Sequence, residues 1–371
     1  MIVEMIETSA FHMLRMLSQK YPVVLISGPP GCNVASIANR LMPQKSFVDL
    51  ENSQIFRLAK ESPRTFLMAF PDGVIINAVE RLPSMMDAVI YHVVKWGFTP
   101  GKYLVVSRSD TDFQDQDGRI AKLDVAGLSI EDLARLRYPL NNPFQVMFQG
   151  QLPQILDGTL KMDDLIGLVF RKSILRHINV SNSGLFLSFM KACASCSAQD
   201  FSLNMIAKQT GISAPTAKTW LSVLEHGYIV RTLSTHDSER KSFFLYDTGL
   251  LCNLLGIGSK EELILSPHKE RVMKTFAVNE LLRGRFAKAM NRSLDLGTAC
   301  DLEASWKENF SIVLEPNIEV TEARMEKAKA LAGRAKPLIL YLGDGTYSRD
   351  GIDCIGYRDW SKLAMEIDYF S

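Results

Sequence analysis

The stretch Pro22–Leu41 reads PVVLISGPPGCNVASIANRL and decides the fold of the N-terminal part of the chain. Its apolar run, Val23–Ile26, is typical of a buried strand. A turn rich in Gly and Pro, Ser27–Cys32, follows, and Val34–Leu41 repeats apolar residues with helical spacing. Strand, glycine-rich turn and helix are the architecture of a phosphate-binding loop, in which turn amides and the helix N-terminus face an anion.

The same window lacks most of the side chains that hold a nucleotide. The motif GxxxxGK[ST] needs a lysine at the terminal phosphates and a hydroxyl on magnesium. Here Asn33 stands at the second glycine, Val34 at the lysine and Ala35 at the hydroxyl. Ser36 comes one position late and substitutes only if the register slips. The residues of this degenerate loop are Gly28, Pro29, Pro30, Gly31, Cys32, Asn33, Val34, Ala35 and Ser36.

The second half of a nucleotide site is an acidic pair at the end of a buried strand, and this chain lacks it too. The strand Gly73–Ile76 ends in Asn77 and Ala78. Asn77 hydrogen-bonds a water but brings no charge to a cation, and Ala78 cannot orient an attacking water. The loss of two independent half-sites argues against ATP hydrolysis.

The composition limits the classes of protein to which the chain can belong. The chain has 371 residues, 47% of them hydrophobic and 22% charged, with net charge +1, which predicts two or three domains and no global attraction to nucleic acid or membrane. Cys193 and Cys196 are the only close cysteine pair, and they lack the partners of a zinc site. Met1–Met16 has no signal-peptide core, and no stretch approaches the roughly 20 apolar residues of a membrane span. We therefore expect a cytoplasmic protein with no membrane partner and no bound metal.

Alternating strands and helices predict an α/β fold with a parallel sheet in the first domain. We expect a helix over 1–20 that buries Phe11, Leu14, Met16 and Leu17, and further helices over 55–70 and 84–96. The expected strands are 23–26, 46–50, 73–76 and 103–107, with an edge-like strand at 120–125. Proline- and asparagine-containing loops near Arg137–Pro153 place a domain boundary there.

A helix-turn-helix follows that boundary. Phe201–Thr210 predicts a short helix, Gly211–Ser213 a turn and Ala214–His226 a longer helix, with Ile212, Ala217, Trp220, Leu221 and Leu224 buried. Runs at 228–233 and 242–246 predict a hairpin, so that the whole is a winged helix. Such a domain contacts DNA through its second helix and wing, but it also serves as a protein–protein module. The candidate DNA-binding residues are Lys208, Thr216, Lys218, Thr219, Ser222, Arg240 and Lys241.

The last segment predicts a small α/β domain. A helix is expected over Glu270–Met290, strands over Ser311–Leu314 and Pro337–Leu342, and a second helix over Thr321–Leu331.

Several motifs together resemble the prokaryotic AAA-type P-loop ATPase family whose members end in the domain of unknown function 4143. The resemblance rests on the order and spacing of motifs along nearly the whole chain. These motifs are Gly28-Pro29, Ile75–Pro83, Ser107–Ser109, Gly118-Arg119, Leu128–Leu133, Thr216–Glu225 and Phe244–Leu250.

The resemblance implies three domains: a degenerate AAA-like P-loop domain over 1–140, a helical and winged-helix domain over 141–260, and an α/β domain over 261–371 that resembles a PD-(D/E)XK nuclease. It implies that Arg119 reaches a nucleotide phosphate, with a surface ion pair as the alternative. It also implies a nuclease-like remnant of Glu280, Asp301 and Glu315, with structurally paired acids as the alternative.

Two hypotheses of different classes follow. In the first, the chain is a non-catalytic relative, a scaffold that associates with DNA or with a protein partner and needs no cofactor. In the second, it is a divergent ATP-binding enzyme that uses Ser36 and Arg119 with ATP and magnesium. The missing lysine and acidic pair favour the first.

Overall fold

The structure, a computed structural model, describes residues 8–109, 117–168, 183–234, 241–283, 293–297, 300–305, 309–333 and 335–360. The chain divides into two compact units. The first comprises Met1–Gly127 with His226–Tyr228, and the second comprises Leu128–Glu225 with Ile229–Ser371. The division into domains 1–140, 141–260 and 261–371 is finer than this and stays a prediction.

The first unit is built on a parallel sheet flanked by helices. Its strands are β1 (Val23–Ser27), β2 (Ser46–Asp49), β3 (Val74–Asn77), β4 (Tyr103–Ser107) and β5 (Ile120–Asp124). Its helices are α1 (Ser9–Lys20), α2 (Val34–Leu41), α3 (Ser53–Glu61), α4 (Pro63–Leu67) and α5 (Ser84–Trp96), with a 3-10 turn at Val79–Arg81.

The strand order is β2-β3-β4-β1-β5, and every pairing is parallel. Strands β1, β3 and β4 are buried along their whole length because helices cover both faces of such a sheet. Strand β5 loses burial toward its end, in keeping with its place at the sheet edge. The predicted α/β fold with a parallel sheet is therefore confirmed for this unit.

Two details of the first unit differ from the sequence prediction. The helix expected over 55–70 is two helices, because Pro63 lacks a backbone N–H and begins a new helix, α4, after Ser62. Met16, which we expected in the core, is 50% exposed, whereas Phe11, Leu14 and Leu17 of the same helix are buried. Residues 1–7 of the expected N-terminal helix lie outside the described residues.

The second unit contains many short helices, a hairpin and a mixed sheet. The helices are α6 (Ile130–Arg135), α7 (Pro143–Gln149), α8 (Pro153–Leu156), α9 (Met162–Leu168), α10 (Ser183–Ser195), α11 (Leu203–Thr210), α12 (Ala214–His226), α13 (Thr248–Leu254), α14 (Lys260–Leu265), α15 (Lys269–Leu282) and α16 (Glu322–Lys329). The strands are β6 (Val230–Ser234), β7 (Lys241–Leu245), β8 (Ser293–Leu296), β9 (Leu302–Ser305), β10 (Asn309–Glu315), β11 (Lys336–Tyr341), β12 (Tyr347–Arg349) and β13 (Ile352–Gly356), and a 3-10 turn follows at Tyr357–Asp359.

Helices α11 and α12 and the antiparallel pair β6–β7 occupy the segment in which the sequence predicts a helix-turn-helix and hairpin. The turn depends on Gly211, which holds a left-handed backbone with φ 70° at the end of α11. Trp220 packs edge-on against Phe186 and Phe189 of α10. Ile212, expected to be buried, is only half-buried. These elements fit a winged helix, which stays an interpretation of this segment.

The mixed sheet of the second unit has the order β12-β13-β11-β10-β9-β8. Strands β10, β11 and β13 run parallel, and β8, β9 and β12 pair antiparallel at the two ends. Helix α16 buries Met325 and Ala328. The helix expected over 270–290 is described only as α15, since 284–292 lie outside the described residues.

No helix in the parts of the chain that the structure describes combines the length and the apolar character needed to cross a membrane.

Asn33 offers a direct test of the backbone at the start of α2. This exposed residue is the N-cap of α2, has φ 51° and ψ 44°, and makes no side-chain capping bond. Asn tolerates the left-handed region and Gly adopts it freely, whereas for Ala it costs roughly 1–2 kcal/mol. We therefore expect Asn33→Gly to match the native stability, and Asn33→Ala to lose about 1 kcal/mol. The measurement is the urea unfolding midpoint at unchanged slope. Equal stability of the two variants would contradict a left-handed backbone at this position.

Candidate functional site

The candidate nucleotide site lies at the carboxyl edge of the parallel sheet. Strands β1 and β4 are neighbours, yet the chain leaves β1 toward β2 on one side and leaves β4 toward β5 on the other. Ligands of open α/β sheets bind at such a switch point, outside the carboxyl ends of the strands. The turn that follows β1 therefore occupies the expected position.

The turn after β1 packs closely against the end of β5. A Cβ at position 28 would lie 2.4 Å from the Val125 carbonyl oxygen and 3.2 Å from Cγ2 of Val34, so only glycine fits there. The Val125 N–H donates to the Ser27 carbonyl oxygen at 2.7 Å and fastens the two strand ends together. Within the turn, the Cys32 N–H donates to the Pro29 carbonyl oxygen at 3.2 Å, so this amide is hydrogen-bonded within the protein.

The positions that the motif assigns to phosphate and magnesium carry no charged side chain. Asn33 adopts a left-handed backbone, a conformation that glycine takes most readily. Val34, at the lysine position, is 6% exposed and lies beside Gly28. Ala35 and Ser36 are half-buried. A set of residues without a cation for phosphate or a carboxylate for magnesium does not fit ATP with magnesium, so no catalytic step is assigned to these residues.

A hydroxyl network that the sequence did not predict lies directly before the turn. The Ser27 Oγ donates to Asp124 Oδ1 at 2.8 Å. The Tyr228 hydroxyl is 2.9 Å from Ser27 Oγ and 2.7 Å from Asp124 Oδ1. Tyr228 is 3% exposed and reaches these atoms across 201 positions of sequence, so no local signal could have revealed it.

Arg119 forms an ion pair with Asp117 at 2.6 Å, and its side chain is 29% exposed. This contact is the ion pair that we named as the alternative to a phosphate contact.

The two residues at the end of β3, Asn77 and Ala78, carry no charge, and only Asn77 is polar. The Asn77 Nδ2 donates to Asp49 Oδ1 at 2.9 Å. Its Oδ1 is buried and has no hydrogen-bond partner among the residues that the structure describes. Ala78 is fully buried and holds φ 60°, an unusual backbone for alanine. A glutamate at position 78 would place its carboxylate inside the core.

Acidic and basic groups that sequence reasoning missed lie at the ends of β2 and β4. The Glu80 carboxylate is 3.4 Å from both the Ser107 Oγ and the Arg108 N–H. The Arg108 guanidinium makes a two-bond ion pair with Glu51, one bond of which measures 3.1 Å. Burial opposes the charge of Arg108, but the bonds and charge of Glu51 and the charges of Glu80 and Asp49 outweigh it, so its pKa is raised. The cation at this edge is thus already neutralised by the protein's own acids. Their position directly after parallel strands was the available signal.

The candidate DNA-binding residues lie on α11, α12 and β7. Lys208, Lys218, Thr219 and Lys241 are exposed, and Thr216 and Ser222 are half-buried. Thr219 donates its hydroxyl to the Pro215 carbonyl oxygen at 3.1 Å. Arg240 lies outside the described residues.

The three acids of the expected nuclease-like remnant each have separate partners. Glu280 is fully buried and accepts from Gln151 Nε2 at 2.7 Å, from the Ile130 N–H at 3.1 Å and from the Arg283 guanidinium. Asp301 accepts from the Leu314 N–H at 2.9 Å and pairs with Lys327 at 3.2 Å. Glu315 accepts from Asn317 Nδ2 at 2.6 Å and from the Thr321 N–H at 3.0 Å.

Within the described residues, no three His, Cys, Asp or Glu side chains are placed to hold a metal ion. The nuclease-like remnant of Glu280, Asp301 and Glu315 stays a prediction from the resemblance.

A family model described as a domain of unknown function (DUF8612) matches residues 144–261. This match does not confirm the resemblance to the family that ends in the domain of unknown function 4143. No curated protein matches the chain.

Two solved structures are similar to the chain. The Walker-type ATPase of Pyrococcus abyssi is 12% identical, with a TM-score of 0.43, and the match covers 68% of this chain and 96% of that one. A signal transduction ATPase with numerous domains (STAND) that carries a tetratricopeptide repeat sensor, from Pyrococcus horikoshii, is 11% identical, with a TM-score of 0.23. That match covers 74% of this chain and 45% of that one.

Proposed function

We propose that the chain is a degenerate relative of P-loop ATPases that does not hydrolyse ATP and acts as a scaffold for nucleic acid or a protein partner. One observation carries the proposal: the lysine position of the loop is Val34, whose side chain is buried beside Gly28. The loop Gly28–Ser36 contains no charged residue at all.

The missing lysine has a calculable effect on nucleotide affinity. A hydrogen bond to a charged group contributes roughly 1.5–3 kcal/mol. Without one such bond to phosphate, nucleotide binding is about ten- to a hundredfold weaker. Backbone amides at the start of α2 still favour an anion, so a weak phosphate interaction is compatible with the proposal.

The end of β3 supports the absence of turnover. Asn77 is tied to Asp49, and Ala78 is buried with a left-handed backbone, so neither position activates water or holds magnesium.

A specific observation favours a second candidate, the divergent ATP-binding enzyme. Glu80 brings a carboxylate to the carboxyl edge beside Ser107, two positions after the missing acid. Against this candidate, the Glu80 carboxylate already accepts from the Ser107 hydroxyl and the Arg108 amide.

The scaffold proposal extends to the exposed lysines of α11, α12 and β7. Helix α12 is preceded by Ser213, whose Oγ accepts from the Thr216 N–H at 3.2 Å, and it presents Lys218 and Thr219 to solvent. A helix of this kind beside a hairpin suits a DNA groove. Duplex binding through these residues is the form of nucleic-acid association that we propose for the second unit.

The first prediction concerns ATP. Isothermal titration of the native protein should give a dissociation constant in the millimolar range or no binding, with no gain from magnesium, because a charged phosphate contact is missing. The combined variant Asn33→Gly/Val34→Lys/Ala35→Thr should bind ATP at least tenfold more tightly. Its matched control, Asn33→Gly/Val34→Met/Ala35→Thr, replaces the cation with an apolar chain of similar length and should not.

Micromolar, magnesium-dependent ATP binding by the native protein would overturn the non-catalytic proposal. ATP turnover that disappears in Glu80→Gln would establish the second candidate in its place.

The next prediction concerns duplex DNA. Gel-shift assays at low salt should show weak retardation that is lost when Lys208, Lys218, Arg240 and Lys241 are all changed to Glu. Because each phosphate contact contributes about −0.9 to the slope of log affinity against log salt, the native slope should be steep and that of the variant near zero. Retardation that survives the reversal would move the duplex site elsewhere, and no retardation at low salt would favour a protein partner.

A further inference from the structure

The first unit carries a compact group of cations and aromatic rings far along the chain from the loop. We call it the basic aromatic surface and define it as Arg64 of α4, Tyr91, Lys95 and Trp96 of α5, and Lys102 before β4. Trp96 is 45% exposed, Arg64 and Lys95 are exposed, and Tyr91 and Lys102 are half-buried.

Two of its three cations, Arg64 and Lys95, lie over the faces of its rings. The Arg64 Cζ is 4.1 Å from the centroid of the Tyr91 ring. The Lys95 Nζ is 4.9 Å from the Trp96 centroid and 5.6 Å from that of Tyr91. Helical spacing explains the second contact, because Tyr91 and Lys95 are four residues apart on α5. Such stacking holds the charged groups in place and leaves their remaining donors available to an anion.

Two edge-to-face ring contacts fix the orientation of the Trp96 side chain. Its ring lies 4.2 Å from that of His92 at 75° and 6.3 Å from that of Tyr91 at 89°. His92 is itself buried, with Nε2 2.9 Å from the Arg64 carbonyl oxygen and Nδ1 3.3 Å from the Tyr103 hydroxyl. A ring fixed in this way loses little freedom when a ligand stacks on it.

The electrostatics of His92 show that the cations converge. Burial lowers the pKa of His92, and the charges of Lys102, Lys95 and Arg64 lower it further, opposed by the bond to the Arg64 carbonyl. Burial also lowers the pKa of Lys45; the charge of Asp72 partly offsets this lowering, and that of Lys102 adds to it.

The surface lies at the amino edge of the sheet. Lys102 directly precedes β4, and α5 ends shortly before it. All strands of this sheet are parallel, so their amino ends share one edge and the turn after β1 lies at the other. The basic aromatic surface is therefore separate from the candidate nucleotide site, and it belongs to a different unit from the lysines of α11, α12 and β7.

We propose that the basic aromatic surface binds single-stranded nucleic acid. Arg64, Lys95 and Lys102 contact backbone phosphates, and bases stack on Trp96 and on the neighbouring Phe98, which is 56% exposed. Proteins that bind single strands without sequence preference combine these two features, a cationic track and exposed aromatic platforms. Duplex DNA keeps its bases stacked internally and cannot use the platforms.

An anionic membrane is the competing partner, since Val94 and Phe98 are exposed apolar residues beside the same cations. Insertion of Trp96 and Tyr91 into the acyl region would carry Lys95 and Arg64 with them, because these cations lie on the ring faces. The cost of burying those charges favours nucleic acid.

The test measures fluorescence anisotropy of a labelled oligothymidine of about 20 nucleotides against the full chain over a series of salt concentrations. The native protein should bind, with a log–log salt slope of roughly −2 from three phosphate contacts. The variant Arg64→Gln/Lys95→Gln/Lys102→Gln should lose that slope and at least tenfold in affinity at low salt. The control Lys191→Gln/Lys260→Gln/Lys336→Gln removes the same charge from the other unit and should behave as the native protein does.

Stacking is tested separately. Trp96→Ala should weaken binding about tenfold with the salt slope unchanged, and Trp96→Phe should restore most of it. Thermal unfolding of each variant verifies that it is folded.

Three outcomes would overturn the proposal. The first is equal loss in the two triple variants, which would mean a non-specific charge effect. The second is binding that depends on Lys218 and Lys241 and not on α5. The third is binding to phosphatidylserine vesicles with no binding of the oligonucleotide, which would identify a membrane as the partner.

Discussion

The approach of the Gly28 backbone to the Val125 carbonyl oxygen sets the shape of the turn after β1. No side chain fits between them, so the turn is pressed against the end of β5 and Val34 closes the remaining space. This packing does not depend on a bound phosphate. The turn after β1 is thus held in place by packing, with the buried apolar side chain of Val34 at its end.

Charged groups elsewhere in the chain are paired within the protein. The Arg108 guanidinium is neutralised by Glu51, and the buried Glu280 carboxylate is satisfied by Gln151 and Arg283. Buried charges are tolerated when they are paired and hydrogen-bonded. The net charge of +1 therefore does not reflect how the charges are distributed. Some charged groups are paired inside the protein, whereas the cations of the basic aromatic surface lie together at the amino edge of the parallel sheet.

Much of the first unit could be predicted from local patterns. The apolar runs at 23–26, 74–76 and 103–107 form the neighbouring strands β1, β3 and β4, and near-continuous apolar runs are typical of parallel strands that are buried on both faces. The break before Pro63 was also predictable, since the residue before a proline disfavours a helical backbone. The left-handed Asn33 carried a signal as well, because Asn is the residue that most often replaces glycine there.

The rest depends on contacts that the sequence does not encode locally. Glu80 and Arg108 are in contact only because β3 and β4 are neighbouring strands. The residues around Ala78 contain no sequence signal for its left-handed backbone. The partners of Glu280, Asp301 and Glu315 also lie far along the chain or in another element, so the resemblance alone did not indicate them.

Tyr228 has a consequence for the order in which the chain is made. Its hydroxyl completes the network of Ser27 and Asp124 at the base of the turn, yet the ribosome adds it about 100 residues after Gly127, the end of the first unit's main segment. At a synthesis rate of roughly 5–20 residues per second, the first unit waits several seconds for its last side chain. During that interval nascent chains hold a first unit in which the Ser27–Asp124 network lacks its third hydrogen-bonding group.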